Sequence, residues 1–237
     1  MIKTWWEDFK HIPNIDTRWL LTWIVIFVSF IMLDLFFPHF YGTNLIKYIG
    51  IFLCIIYAYN KYYSDFMLIW ALALTFLADT LLVWTDWILF GVYVFVFAQF
   101  IHLMRQLQAN ARVIAAYAIG ILALLAFAIW RDIEPIYSIA AVYALMLLSN
   151  VFVAVGRYRE HPKDFRARCG MYGFIAFACC DTCVALRFLM LNGSIDGHAL
   201  PLVAFLVWVF YYPSQVLIAN SSLKSPSHKL AKTRPLE

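Results

Sequence analysis

The chain has 237 residues, of which 64% are hydrophobic and only 14% charged, whereas soluble domains run near 45–50% apolar and about 25% charged. With a mean hydropathy of +0.77, this composition excludes a water-soluble globular fold. The net charge of +4 comes from basic residues in loops and tail, so it is no argument for a nucleic-acid partner. The five cysteines lie mostly in apolar runs, which argues for reduced, buried thiols over a disulfide framework.

Eight apolar runs follow one another, at about residues 19–37, 44–59, 67–84, 88–105, 113–130, 136–156, 170–191 and 199–221. Each is near the length of about 20 residues that crosses roughly 30 Å of hydrocarbon as a helix; the second is the shortest. Met1 to Arg18 is polar and aromatic and carries no cleavable signal peptide pattern. Connections are short, the longest being residues 157–169, and no Ser/Gly linker or composition shift divides the chain. The expectation is an all-α, polytopic membrane protein, a single eight-helix domain over residues 1–222. Residues 223–237 are expected to form a disordered cytoplasmic tail. On this layout 15 of the 18 Lys and Arg fall on the side of the termini, and only Lys47, Arg131 and Arg187 on the other. The positive-inside rule then puts both termini in the cytoplasm, with a bacterial inner membrane as the default.

The third run carries one carboxylate, Asp79, and the seventh carries Asp181; each is followed by Thr, Thr80 and Thr182. Both runs go outward from the cytoplasmic side, and both acids lie about 16–18 Å along them, near the midplane. A carboxylate there costs about 2.5–3.5 kcal/mol on insertion scales, so it marks a functional site by default. The run after each acid carries a glutamine, Gln99 and Gln215. This suggests a four-plus-four repeat about an axis along the membrane normal. Two acids at one depth on neighbouring helices cannot both ionise cheaply, and so supply one acid and one base.

The other polar residues divide between helix packing and chemistry. Gln99, Gln215 and Asn150 serve either as interhelical glue or as groups orienting a substrate. Pro213 leaves a carbonyl without its helical donor in mid-span, where a kink opens room for a cavity. His102 reads as an interfacial histidine, Arg187 as a side chain snorkelling to headgroups, and Asp34 as a wetted acid near the outer end of the first span. Cys179, Cys180 and Cys183 beside Asp181 invite a metal, but no embedded histidine is placed to complete such a site; small thiols also suit tight packing. Gly170 and Gly173, at a helix start, read as close-packing residues.

The segments FLADTLLVW, GVYVFVFAQFIHL, YALMLLSNVFVAVGR, CGMYGFIAFACCDTCVALRFL and WVFYYPSQVLIANSS resemble the YhhN-like family of integral membrane proteins, which includes the lysoplasmalogenases. The resemblance covers roughly residues 67–222. It implies an eight-span fold with an active site inside the bundle, Asp79 and Asp181 as the catalytic acids, and Tyr212 and Gln215 as the last motif. It also implies hydrolysis of the vinyl ether of a lysoplasmalogen without metal or organic cofactor. The partners are then a lysophospholipid substrate and membrane lipids. Gln99, Asn150, Thr80 and Thr182 join Tyr212 and Gln215 as candidate substrate-binding residues. The family often has Gly where this chain has Ala78, and His about where it has Gln99. Burial beside Cys179 and Cys180 favours Asp181 as the neutral acid. The rival readings are a proton-coupled transporter, which also uses midplane acids and interrupted helices, and a non-catalytic lipid-binding protein.

Overall fold

A computed structural model describes residues 16–37, 42–85, 87–108 and 110–223. Residues 1–15, 38–41, 86, 109 and 224–237 lie outside the described residues, and with them the expectations placed there. The described chain is all-helical, with eight helices: α1 Thr17–Phe36, α2 Gly42–Tyr62, α3 Phe66–Trp84, α4 Ile88–Gln106, α5 Ala111–Trp130, α6 Pro135–Glu160, α7 Phe165–Leu191 and α8 Leu200–Ala219. Each is long and apolar enough to cross a bilayer, and the chain is a multi-pass integral membrane protein.

Helix starts are written in short polar residues. Asp16, Asp65, Asn110 and Asp164 each accept a bond from a backbone N–H in the first turn of α1, α3, α5 and α7, at 3.0–3.3 Å. Proline stands in the first turn of α6 and α8, where its missing N–H costs nothing. α6 and α7 run well past the apolar stretches expected for them, to Glu160 and back from Phe165. The expected 157–169 loop therefore shrinks to residues 161–164. The extensions hold Arg157, Arg159, Arg166 and Arg168, which helix geometry tolerates and hydrocarbon does not.

Six helices form a closed ring in the order α2, α3, α4, α6, α7, α8 and back to α2, and α3 also touches α8 across it. α1 lies against α2 and α8, while α5 leans on α6 and buries only Ala128. Large apolar side chains face outward along the bundle, Ile119, Leu122 and Phe152 among them, as a lipid-facing surface requires.

Glycines allow close approaches between helices, at Gly173 and Gly50 among others. A Cβ on Gly173 would meet Ile218 Cγ1 at 2.9 Å and the Ile218 backbone nitrogen at 3.1 Å, which lets α7 and α8 pack most extensively of all pairs. Gly50 on α2 leaves room for the ring of Tyr212, whose other neighbours are Phe27, stacked at 5.9 Å, and Phe30, edge-on at 5.4 Å.

At one end of the ring a buried polar clamp ties the chain's last described residues to its middle. Asp65, the α3 cap, accepts bonds from Ser222 Oγ at 2.8 Å and from the Leu223 N–H at 3.1 Å. It also pairs with Arg105 of α4 at 3.6 Å. Arg105 in turn donates to Ser221 Oγ at 3.0 Å and to the Ser221 carbonyl at 3.4 Å. Both charges are almost wholly buried, and each has its partner, as burial demands. A second ion pair joins Lys47 of α2 to Asp34 of α1 at 2.7 Å, so Asp34 is partnered where the sequence suggested a wetted acid. Its depth next to α2 explains the pairing: Lys47 itself is buried and needs a counter-charge.

Candidate functional site

The buried stripe of α3 runs through Leu68, Ala71, Leu72, Thr75 and Ala78 to Asp79, the three- and four-residue spacing of an inward helix face. Asp79 is thus aimed into the ring by the same periodicity that buries its apolar neighbours, and is 8% exposed. On α7 the corresponding stripe is Gly170, Gly173, Phe174, Phe177 and Cys180, and Asp181 stands at its edge, half-buried.

Each carboxylate is held by a tyrosine from another helix. The Tyr211 hydroxyl of α8 donates to Asp79 Oδ2, and the Tyr143 hydroxyl of α6 donates to Asp181 Oδ2. Among the described residues no donor reaches Oδ1 of either acid, so each carboxyl has one anchored and one uncommitted oxygen. The Tyr48 hydroxyl of α2 donates to the backbone carbonyl of Asp79 at 2.7 Å, which fixes that turn of α3. The two Asp–Tyr pairs face the bundle interior, where Cys180, next to Asp181 on α7, is buried. A file of rings, Tyr143, Phe95, Phe177 and Tyr211, with centroids 5.7–6.3 Å apart, links one pair to the other.

The remaining candidates are distributed unevenly around these two pairs. Thr80 and Thr182 donate to the Phe76 and Ala178 carbonyls of their own helices, each at 2.8 Å, and Thr182 faces outward. Tyr212 is turned away from Asp79 into the contact with α1 and α2, its hydroxyl without a partner. Gln215 is buried one turn after Tyr211; its amide donates weakly to Ser214 Oγ at 3.5 Å, and its Oε1 accepts nothing. Pro213 lies inside α8, which continues through it to Ala219.

Gln99 and Asn150 meet. Asn150 Nδ2 donates to Gln99 Oε1 at 3.0 Å and to the Gln99 carbonyl at 2.9 Å, and Gln106 Nε2 donates to Asn150 Oδ1 at 2.6 Å. The Gln99 amide lies beside the Tyr143 phenol, so this polar string ends at Asp181. His102, expected at the interface, is instead fully buried, its ring edge-on to Phe174 at 5.2 Å. The reason is position: it falls on the α4 face that α6 and α7 cover, three residues after Gln99. Arg187 is exposed, and Cys179, Cys180 and Cys183 are free thiols.

Tyr143 and Tyr211 are the site residues that the sequence reading passed over. Tyr143 falls two turns before Asn150, on one face of α6 with it. Tyr211 stands four residues before Gln215, on one face of α8. Their spacing from residues already singled out was the available signal.

The model of one protein family, the YhhN family, matches residues 42–222, a stretch that holds both aspartates, both tyrosines and every helix except α1. Comparisons with curated proteins and with solved structures return no match.

Proposed function

The chain belongs to the YhhN family, and from that premise we propose that it is a membrane-embedded hydrolase cleaving the vinyl ether bond of lysoplasmalogens. The products are a fatty aldehyde and glycerophospho-ethanolamine or -choline. The observation that carries this reading is the pair of aspartates inside the bundle, each anchored through one oxygen by a tyrosine from another helix and joined to the other by a file of rings.

Vinyl ether hydrolysis needs a proton on the β-carbon, stabilisation of the oxocarbenium ion that follows, and removal of a proton from the water that attacks the α-carbon. The hemiacetal so formed collapses to aldehyde and the glycerol hydroxyl, with one water consumed and no net proton change. Two carboxyl groups, one protonated and one ionised, supply each of these steps. The tyrosine hydroxyls hold both acids in place, and the uncommitted Oδ1 atoms are the oxygens that act. The alkenyl chain lies among helices whose outward faces already meet lipid. A bacterial inner membrane is the setting this reading assumes.

The deciding experiment incubates purified protein with a lysoplasmalogen and with its acyl analogue and measures aldehyde and fatty acid. Aldehyde from the vinyl ether substrate alone is the expected result, and fatty acid from the acyl analogue would make the protein a lysophospholipase instead. Asp79→Asn and Asp181→Asn are each expected to abolish aldehyde release while the protein stays extractable and folded. Full activity in either variant removes that aspartate from the mechanism. Substrate flux in proteoliposomes that follows a pH gradient, with no aldehyde formed, would favour a transporter.

A further inference from the structure

Hydrolysis at the middle of a bilayer requires a supply of water, and the polar atoms that α4 leaves without partners lie along one line. Gln99 Nε2, both ring nitrogens of His102 and Arg105 Nε are buried without any hydrogen-bond partner among the described residues. They recur at three-residue spacing, each about 60° round α4 from the one before, along the buried side of the helix. The facing helix, α6, sets Tyr143, Asn150 and Arg157 at seven-residue spacing, on one face. Between them runs the bonded string Gln106, Asn150, Gln99, with the Tyr143 phenol and Asp181 at its inner end.

The outer end opens to the surface. A cleft of about 960 Å³ is bordered by Gln106, Arg157, Arg166 and Leu223. All four also border a smaller hollow that reaches Arg105 and Phe174, and Phe174 is the ring that lies edge-on to His102. Cleft, hollow, His102, Gln99 and Tyr143 therefore succeed one another from the basic end of the bundle to Asp181. Buried polar groups in folded proteins are almost always bonded, to protein or to ordered water. Four orphaned atoms in file, between a surface cleft and a carboxylate, call for water.

We propose that this face of α4 and α6 is a water-binding route that delivers the hydrolytic water to Asp181 from the cleft at Arg157 and Arg166. It rests on the hydrolase reading above for its purpose, though not for its existence. It assigns Asp181 to activation of water and leaves Asp79, the more deeply buried acid, to protonate the substrate. That reverses the assignment expected from the cysteines flanking Asp181.

Radiolytic footprinting tests it, because hydroxyl radicals made from bound water mark side chains that such water touches. After correction for intrinsic reactivity, His102 and Phe174 are expected to be oxidised at least ten-fold faster than Leu72, which is as deeply buried but sits in apolar packing. Two variants then separate polarity from structure, since both break the bonds of Asn150 to Gln99 and Gln106. Asn150→Leu is expected to slow His102 labelling and aldehyde release at least ten-fold, whereas Asn150→Ser, which keeps a polar group and room for water there, is expected to label at His102 at least three-fold faster than Asn150→Leu. Labelling of His102 no faster than that of Leu72 overturns the route. So does an Asn150→Leu protein that is dry at His102 yet fully active. If the protein releases aldehyde from no lysoplasmalogen, the hydrolase reading fails, while the labelling of His102 still decides whether the route holds water.

Discussion

At the scale of single residues, each aspartate of the site depends on a tyrosine hydroxyl from another helix. A carboxylate in a span stands out because hydrocarbon penalises it. A tyrosine in a span does not, because its ring is apolar and its hydroxyl is usually assigned to an interface. Tyr211 and Tyr212 show how small the difference is: one residue is about 100° of helix, and it separates an Asp79 ligand from a packing residue against Gly50. Tyr143→Phe and Tyr211→Phe are each expected to lower kcat about 10- to 100-fold with KM nearly unchanged, since a bond to a charged group contributes about 1.5–3 kcal/mol. Aldehyde release measured over a range of substrate concentrations checks this. Tyr212→Phe removes only a buried hydroxyl that has no partner, and its Tm is expected to match or exceed the parent's.

At the scale of helices, hydropathy located every span but not where each helix stops. The bilayer limits how many apolar residues are needed and says nothing about how far a polar helix continues beyond it, which is why α6 and α7 outrun the expected limits. Which helices touch was also hidden: α3 precedes α8 by more than a hundred residues, and no pattern within either run names the other. The α7–α8 contact rests on a glycine that the sequence did flag. Gly173→Leu is expected to push Ile218 away and cost about 1–3 kcal/mol. The loss would appear as a lower Tm and, because α8 carries Tyr211, as weaker aldehyde release.

At the scale of the whole molecule, the ring of six helices builds the site and the two outer helices bear on it unequally. α1 packs Trp23 and Phe30 into the core, whereas α5 buries only Ala128 and leaves most of its side chains exposed. Ile119→Ala and Leu122→Ala, both on the exposed surface of α5, are expected to leave Tm and aldehyde release within experimental error. Leu122→Arg is instead expected to impair insertion, at a cost of about 2.5–3.5 kcal/mol at the centre of a span, read as a smaller glycosylation-mapped inserted fraction. The sequence could not rank these helices, because hydropathy is the same whether a neighbour or a lipid chain covers a leucine.

The clamp at Asp65 carries a consequence for synthesis. α4 leaves the ribosome with Arg105 more than a hundred residues ahead of Ser221 and Ser222, so through most of translation that guanidinium has only Asp65 to neutralise it. The nascent bundle can thread all its crossings and still lack its latch. A polypeptide terminated after Ala219 is expected to be inserted yet remain open to protease near residue 105, while a fusion appended beyond residue 223 is expected to mature normally.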